Sequence, residues 1–81
     1  MVYLEFVEER ENGDIVYDYM PEKKTSDKGR LLVNRATRAA KKLKGSSDGD
    51  WWPEYFARAH KRVLEMLDDG NLKHSTYSAW Y

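Results

Sequence analysis

The stretch that decides the fold is residues 2–20, VYLEFVEERENGDIVYDYM. Its two arms are rich in β-branched and aromatic residues, which favour β-strands. Between the arms lies Asn12-Gly13, a pair that tolerates the positive φ angles of a tight type I′ turn. The stretch therefore predicts a β-hairpin with a two-residue loop. In that register the paired residues are Glu11 with Asp14, Glu8 with Tyr17, Phe6 with Tyr19 and Leu4 with Pro21.

This register assigns one face of the hairpin to the core and the other to solvent. The face expected to be buried carries Leu4, Phe6, Ile15, Tyr17 and Tyr19. The face expected to be mixed and wet carries Glu5, Val7, Glu9, Val16, Asp18 and Met20. Pro21 should end the pairing because proline has no backbone donor.

An amphipathic helix is predicted to begin near Pro53, with Asp50 as its cap and Gly70 at its end. Its apolar stripe repeats at helical spacing and consists of Trp52, Phe56, Ala59, Val63 and Leu67. The chain then ends in a β-prone, aromatic segment, residues 76–81. Disordered tails are usually polar, so this segment is expected to dock as an edge strand, with Tyr77, Trp80 and Tyr81 withdrawn from water.

The segment from Gly29 to Lys44 is ambiguous. Its alanine, arginine, lysine and leucine residues are good helix formers, so propensity alone favours a helix. The competing interpretation pairs residues 30–33 with residues 39–43 through a turn at 34–38, which makes a second hairpin.

Short motifs spread along nearly the whole chain bear on this choice. They are Tyr-x-Tyr-x-Pro-Glu at residues 17–22, Gly29 before a hydrophobic triplet that ends at Asn34, Thr37, Tyr55, Gly70-Asn71 and the terminal Ala79-Trp80-Tyr81. Together they resemble a family of small uncharacterised bacterial proteins. The resemblance implies a second hairpin and carries no activity. The chain departs from the family at Arg38, where the family tends to have glycine after the turn threonine, and at Arg58, where it tends to have histidine.

Composition limits the classes of function. The chain has 81 residues, 41% of them apolar, and no cysteine, which fits one small domain over residues 1–81 without disulfides or thiolate metal sites. No signal peptide or membrane span is recognisable, so a cytoplasmic location and no membrane partner are expected. His60 and His74 are far apart and match no metal-binding spacing, and the exposed carboxylates lack the burial that acid–base catalysis needs. We therefore expect no enzyme activity and no cofactor.

The charge is balanced overall, with 14 acids and 14 bases, but it is segregated along the chain. Residues 1–22 hold seven acids and one base, whereas residues 23–44 hold nine bases and one acid. The simplest interpretation is that the basic segment, residues 23–44, complements the acidic hairpin. The alternative is a binding face for nucleic-acid phosphates. Its candidate residues are Lys23, Lys24, Arg30, Arg35, Arg38, Lys41 and Lys42. Trp51 is a further candidate: it either packs on the sheet edge or is an exposed anchor at a protein interface.

The sequence thus predicts an α+β domain in which an antiparallel sheet, two hairpins plus a C-terminal edge strand, packs on one helix. The alternative is one hairpin plus two helices. The expected core consists of Leu4, Phe6, Tyr17, Tyr19, Phe56, Val63, Leu67 and Trp80. The expected function is a non-enzymatic protein-interaction module with a protein partner, and the alternative is weak nucleic-acid binding through the basic segment.

Overall fold

The computed structural model describes residues 1–21, 28–44 and 54–78. In chain order, these residues form β1 (Val2–Glu9), β2 (Asp14–Pro21), β3 (Gly29–Asn34), β4 (Ala40–Lys44), α1 (Glu54–Asp69) and β5 (Ser75–Ser78). The strands make one antiparallel sheet in the order β4-β3-β2-β1-β5, and α1 packs on one of its faces. The predicted α+β class is confirmed, and the alternative with a second helix is wrong because residues 29–44 form a hairpin.

The loop of the first hairpin differs from the predicted type I′ turn. Gly13 has the expected positive φ (88°), but Asn12 does not. Gly13 N–H donates to the Arg10 carbonyl oxygen (3.0 Å) and Arg10 N–H to that of Asp14 (2.7 Å), which closes a three-residue loop. The Asn12 side chain stabilises this loop, because its Oδ1 accepts a hydrogen bond from Asp14 N–H (3.1 Å).

From Val2 to Phe6, the register of this hairpin is shifted by two residues from the prediction. Phe6 faces Tyr17 rather than Tyr19, and a β-bulge follows between Phe6 and Glu8. A two-residue shift keeps side chains on their predicted face, because side chains alternate with a period of two. The predicted core face is therefore confirmed although the predicted pairs are wrong. Beyond the bulge the shift is only one residue, so Glu9 faces Ile15 and does not stand on the predicted wet face.

The opposite face of β2 was expected to be wet, and that expectation is wrong. Val16 and Met20 are 1% and 2% exposed, and Asp18 is 9% exposed. The reason is the position of β2 at the centre of the sheet, where side chains of β1 and β3 flank it on both sides. Arg30 of β3, for example, reaches Asp18 with a hydrogen bond of 2.7 Å.

The core lies between the sheet and α1. Among the predicted core residues, Leu4, Tyr17, Tyr19 and Val63 are buried. Phe6, Phe56 and Leu67 are only partly buried at the margin of the core, and Trp80 lies outside the described residues. The remaining buried residues of the cluster are Val2, Ile15, Leu31, Val33, Ala59 and Met66.

The helix α1 ends as the sequence predicts. Gly70 has φ 72°, and its N–H donates to the Leu67 carbonyl oxygen (3.2 Å) while Asn71 N–H donates to that of Met66 (3.0 Å). These two bonds form a Schellman motif, in which glycine adopts the left-handed conformation. The predicted start of the helix, with Asp50, Trp52 and Pro53, lies outside the described residues.

The turn between β3 and β4 places a residue other than glycine in a left-handed conformation. Arg38 has φ 65°, a left-handed conformation that favours glycine. Its N–H donates to the Asn34 carbonyl oxygen (2.8 Å), and its guanidinium pairs with Asp68 of α1 (2.9 Å). The arginine thus occupies the backbone conformation for which glycine is suited.

The C-terminal edge strand is confirmed for Ser75–Ser78, which pairs with β1. Tyr77, however, is 57% exposed, so the expectation that it is withdrawn from water is wrong. Its ring lies beside that of Tyr3 on the sheet face opposite α1, with centroids 6.0 Å apart. The expectations for Trp80 and Tyr81 concern residues outside the described ranges.

Candidate functional site

Part of the basic segment gathers on the outer face, the sheet face opposite α1. Arg30 faces Lys44 and Leu32 faces Lys41 across β3 and β4. Lys28 immediately precedes β3 and joins Arg30 and Lys44 in lining a pocket of about 410 Å³. We call Lys28, Arg30, Lys41 and Lys44 the outer-face cations. Arg10, Asp18 and Leu43 line the rest of the pocket.

One of these cations is held by a buried acid. Arg30 Nε and Nη2 donate to Asp18 Oδ1 and Oδ2 at 2.7 and 3.3 Å. The hydrogen bond and the charge of Asp18 raise the pKa of Arg30 above its ordinary value. Arg30 therefore has a fixed position and a partly neutralised charge. Lys28, Lys41 and Lys44 form no ion pair within the described residues.

The other bases of this segment point elsewhere. Arg35 pairs with Glu9 (2.9 Å), and Arg38 with Asp68 (2.9 Å). Lys42 lies on the helix side, 5.6 Å from the centre of the Phe56 ring. The described bases of the segment thus do not share one face.

Charge complementation within the fold accounts for the three arginines of the segment. Two of their partners, Asp18 and Glu9, belong to the acidic first hairpin. Exposed pairs such as the one between Arg35 and Glu9 contribute at most about 1 kcal/mol each. Of the remaining candidates, Lys23, Lys24 and Trp51 lie outside the described residues.

A second basic surface, which the sequence did not predict, lies at the opposite edge of the sheet. A groove of about 440 Å³ separates α1 from β5. We call it the α1–β5 groove. Its cations are Arg58, Lys61, Arg62 and Lys73, its acid is Glu65, and its strand residues are Thr76, Tyr77 and Ser78. The bases recur along one helix face in the sequence, but only the position of β5 shows that they border a strand.

Two interactions fix the wall of this groove. Arg62 Nε donates to Thr76 Oγ1 (3.1 Å), and Arg62 Nη1 lies 3.6 Å from Glu65 Oε1. The Arg62 side chain is only 18% exposed, in contrast to Glu65 at 51%. Arg62 therefore ties α1 to β5, whereas the ammonium of the exposed Lys61 has no partner in the described part of the chain.

Tyr17 supports the groove from the core. Its hydroxyl donates to the Lys73 carbonyl oxygen (2.7 Å) and lies 3.7 Å from Met66 Sδ. Burial raises the pKa of Tyr17 from 10.0 to about 12, and the nearby charge of Arg62 lowers it by a smaller amount. The neutral phenol thus anchors the segment that leads into β5.

The main chain of β5 is open along its outer edge. Hydrogen-bonded and non-hydrogen-bonded pairs alternate between antiparallel strands. Phe6 N–H donates to the His74 carbonyl oxygen (2.8 Å), so the pair of Leu4 with Thr76, two residues along, is also a hydrogen-bonded one. The N–H and C=O groups of Tyr77, the next residue, therefore point away from β1, and in the described sheet no strand lies beyond them.

Metal-ligating side chains do not come together in the part of the chain that the structure describes. Among residues 1–21, 28–44 and 54–78, no three His, Cys, Asp or Glu side chains converge to hold a metal ion. His60 Nε2 donates to the Arg38 carbonyl oxygen (2.9 Å), which is a structural contact. In the same residues, no helix is both long and apolar enough to cross a membrane.

Comparison of the chain with family models, curated proteins and solved structures gave no match. Evidence on function therefore comes from the two surfaces themselves.

Proposed function

We propose that this chain is a non-enzymatic protein-interaction module that binds an extended, acidic segment of a partner protein along β5. The observation that carries the proposal is an uncharged edge strand bordered by a cationic groove. Ser75–Ser78 contains no charged residue, while four of the five charged side chains lining the neighbouring groove are cations.

The backbone of the partner segment would add to the sheet. An extended peptide can pair with an open edge strand through main-chain hydrogen bonds, which give affinity with little dependence on sequence. The outward N–H and C=O of Tyr77, and by the same alternation those of Ser75, are the groups that such a peptide would pair with.

The side chains of the partner segment would supply specificity. In a paired strand, alternate side chains face the same side of the sheet, so every second residue of the peptide would face the groove. The ammonium of Lys61 and the charges of Arg58, Arg62 and Lys73 favour carboxylates at those positions. The proposed ligand is therefore an extended segment with acids at alternate positions.

A direct test uses two peptides of identical composition. One has glutamate at every second position and threonine between, and the other has the same glutamates in one consecutive run. We expect fluorescence anisotropy to show tighter binding of the alternating peptide. Equal binding of the two would contradict the strand-addition geometry.

Tyr77→Pro tests the main-chain contact. Proline removes the outward N–H of residue 77 and leaves the inward bonds of β5 to β1 in place. We expect the affinity for the alternating peptide to fall about tenfold, the equivalent of one to two main-chain hydrogen bonds. Tyr77→Thr is the matched control, since it also removes the ring but keeps the N–H.

Lys61→Glu tests the charge without touching the strand. Lys61 is exposed on α1, so the fold should be unaffected, and the reversed charge should weaken binding of the alternating peptide. If both Tyr77→Pro and Lys61→Glu bound this peptide like the wild type, the proposal would be wrong.

A further inference from the structure

We infer that the outer-face cations form a second binding surface, which takes the phosphates of a single-stranded nucleic acid. This surface lies along β3 and β4, whereas the α1–β5 groove borders β5 at the other edge of the sheet. The inference is therefore independent of the proposed peptide-binding function.

The spacing of the cations carries the inference. Arg30 faces Lys44, and Lys41 lies one row further along with Leu32. Lys28 is two residues before Arg30 and lines the same pocket as Arg30 and Lys44. Successive rows on one face are two residues apart, or about 6.6 Å. The four cations thus form a ladder whose step is similar to the distance between successive phosphates of an extended strand.

The acids on the same face confine a polyanion to this ladder. Glu5 stands in the row of Asp18, Arg30 and Lys44, but on β1. Glu8 on β1 likewise stands in the row that ends at Lys41. Positive charge therefore collects along β3 and β4, and negative charge along β1. A single strand would be attracted to the first half and repelled from the second.

The cations of the ladder have capacity left for a ligand. Lys28, Lys41 and Lys44 form no ion pair within the described residues. Asp18 engages only Nε and Nη2 of Arg30, which leaves Nη1 for a further acceptor. The pocket of about 410 Å³ between Lys28, Arg30 and Lys44 gives a phosphate group room beside them.

The experiment is a titration of a fluorescent oligothymidylate with the intact protein at several salt concentrations. For single strands the logarithm of the binding constant falls with the logarithm of salt by about 0.7 per phosphate contact. Lys28→Gln, Lys41→Gln and Lys44→Gln should each weaken binding and reduce this slope by about 0.7.

Lys42→Gln is the matched control. It removes the same charge from the same strand, but Lys42 lies on the helix side, beside Phe56. We expect its slope to equal that of the wild type. A second control, Tyr77→Pro, blocks only the proposed peptide site and should leave oligothymidylate binding unchanged.

Two results would overturn the inference. One is the absence of oligothymidylate binding at low salt, in which case the lysines serve only to block pairing at the edge of the sheet. The other is a loss in Lys42→Gln equal to that in Lys41→Gln, which would show attraction to the overall charge rather than to the ladder. Neither result bears on peptide binding at β5, so failure of one proposal is distinguishable from failure of the other.

Discussion

The two edges of the sheet, β4 and β5, are built in opposite ways. β4, Ala40–Lys44, carries three lysines in five residues, and its pairing with β3 is interrupted by a register shift between Arg30 and Leu31. β5, Ser75–Ser78, carries no charge, and its pairing with β1 is regular over its full length. Lysines and bulges are the devices by which natural sheets prevent pairing with another chain.

This difference separates an edge protected by lysines and a register shift from one that, in the described strand, has neither. A domain that needed only to stay monomeric would gain from the same protection at both edges. Here the charge beside β5 lies on α1 and Lys73, to the side of the strand, where it can select a ligand without blocking the main chain. The contrast therefore supports the proposal that a partner strand binds at β5.

The largest expected effect is a loss of stability at the β4 edge of the sheet. A Cβ atom added at Gly29 would overlap the phenol ring of Tyr19, which is buried and packs edge-to-face on Phe56. Overpacking here should displace β3, which carries β4, and Gly29→Ala should lower the free energy of unfolding by about 3 kcal/mol. Urea unfolding followed by circular dichroism measures the change.

Gly70→Ala is the control for this substitution. Gly70 has a positive φ but open space around its missing Cβ, so alanine there should cost only about 1 kcal/mol. An equal loss in the two variants would show that the Tyr19 ring gives way easily and that the close approach does not position β3.

The next effect concerns the β5 side. Tyr17→Phe removes the hydrogen bond to the Lys73 carbonyl and should cost about 1–2 kcal/mol. The pKa of Tyr17 is raised in the folded state to about 12, so the unfolded chain loses this proton first as pH rises. The stability conferred by the neutral phenol is complete below pH 10 and falls between about pH 10 and pH 12. Wild type should therefore lose more stability than Tyr17→Phe across this window. Equal losses in the two proteins would contradict a raised pKa at Tyr17.

The fold could be predicted from the sequence where alternation and turn chemistry agree. Gly13 and Gly70 mark the positive φ angles, and Leu4, Phe6, Tyr17 and Tyr19 share the predicted face. The register could not be predicted, because a shift of two residues leaves the faces of Leu4 and Phe6 unchanged, and the hydrophobic pattern does not mark the bulge that follows Phe6. Nor could the burial of Val16, which depends on β2 being the central strand.

The candidate surfaces were less predictable than the fold. Nine bases in one segment suggest one basic face, but the strand alternation of Lys41 and Lys42 sends neighbours to opposite sides. Arg38 lies in the turn, and its ion pair with Asp68 of α1 keeps it away from the outer face. The α1–β5 groove joins residues of α1 with a strand that pairs with the first strand of the chain, and such long-range placement leaves no local pattern in the sequence.

A smaller effect tests the turn that brings β4 to the sheet. Arg38 holds a left-handed conformation at a cost of about 1–2 kcal/mol relative to glycine. Arg38→Gly and Arg38→Ala both remove the exposed pair with Asp68, so comparing them isolates the backbone. We expect the glycine variant to be more stable than the alanine variant by about 1 kcal/mol in urea unfolding. Equal stabilities would show that the backbone at Arg38 is not strained.

The smallest effect on the monomer should come from making β4 resemble β5. Lys41 and Lys44 are exposed, so replacing both with threonine should change the free energy of unfolding by no more than about 0.5 kcal/mol. The replacement nevertheless removes two of the three lysines that keep another strand from pairing with this edge. We expect sedimentation velocity to show concentration-dependent self-association of the double variant and a monomer for the wild type.

Replacing Lys61 and Lys73 with threonine makes the same change in net charge away from β4 and serves as the control. If the control associates to the same extent, lost repulsion between whole molecules is the cause. If neither variant associates, the register shift in β4 protects the edge without the lysines. The role that remains for Lys41 and Lys44 is then the inferred binding of phosphates on the outer face.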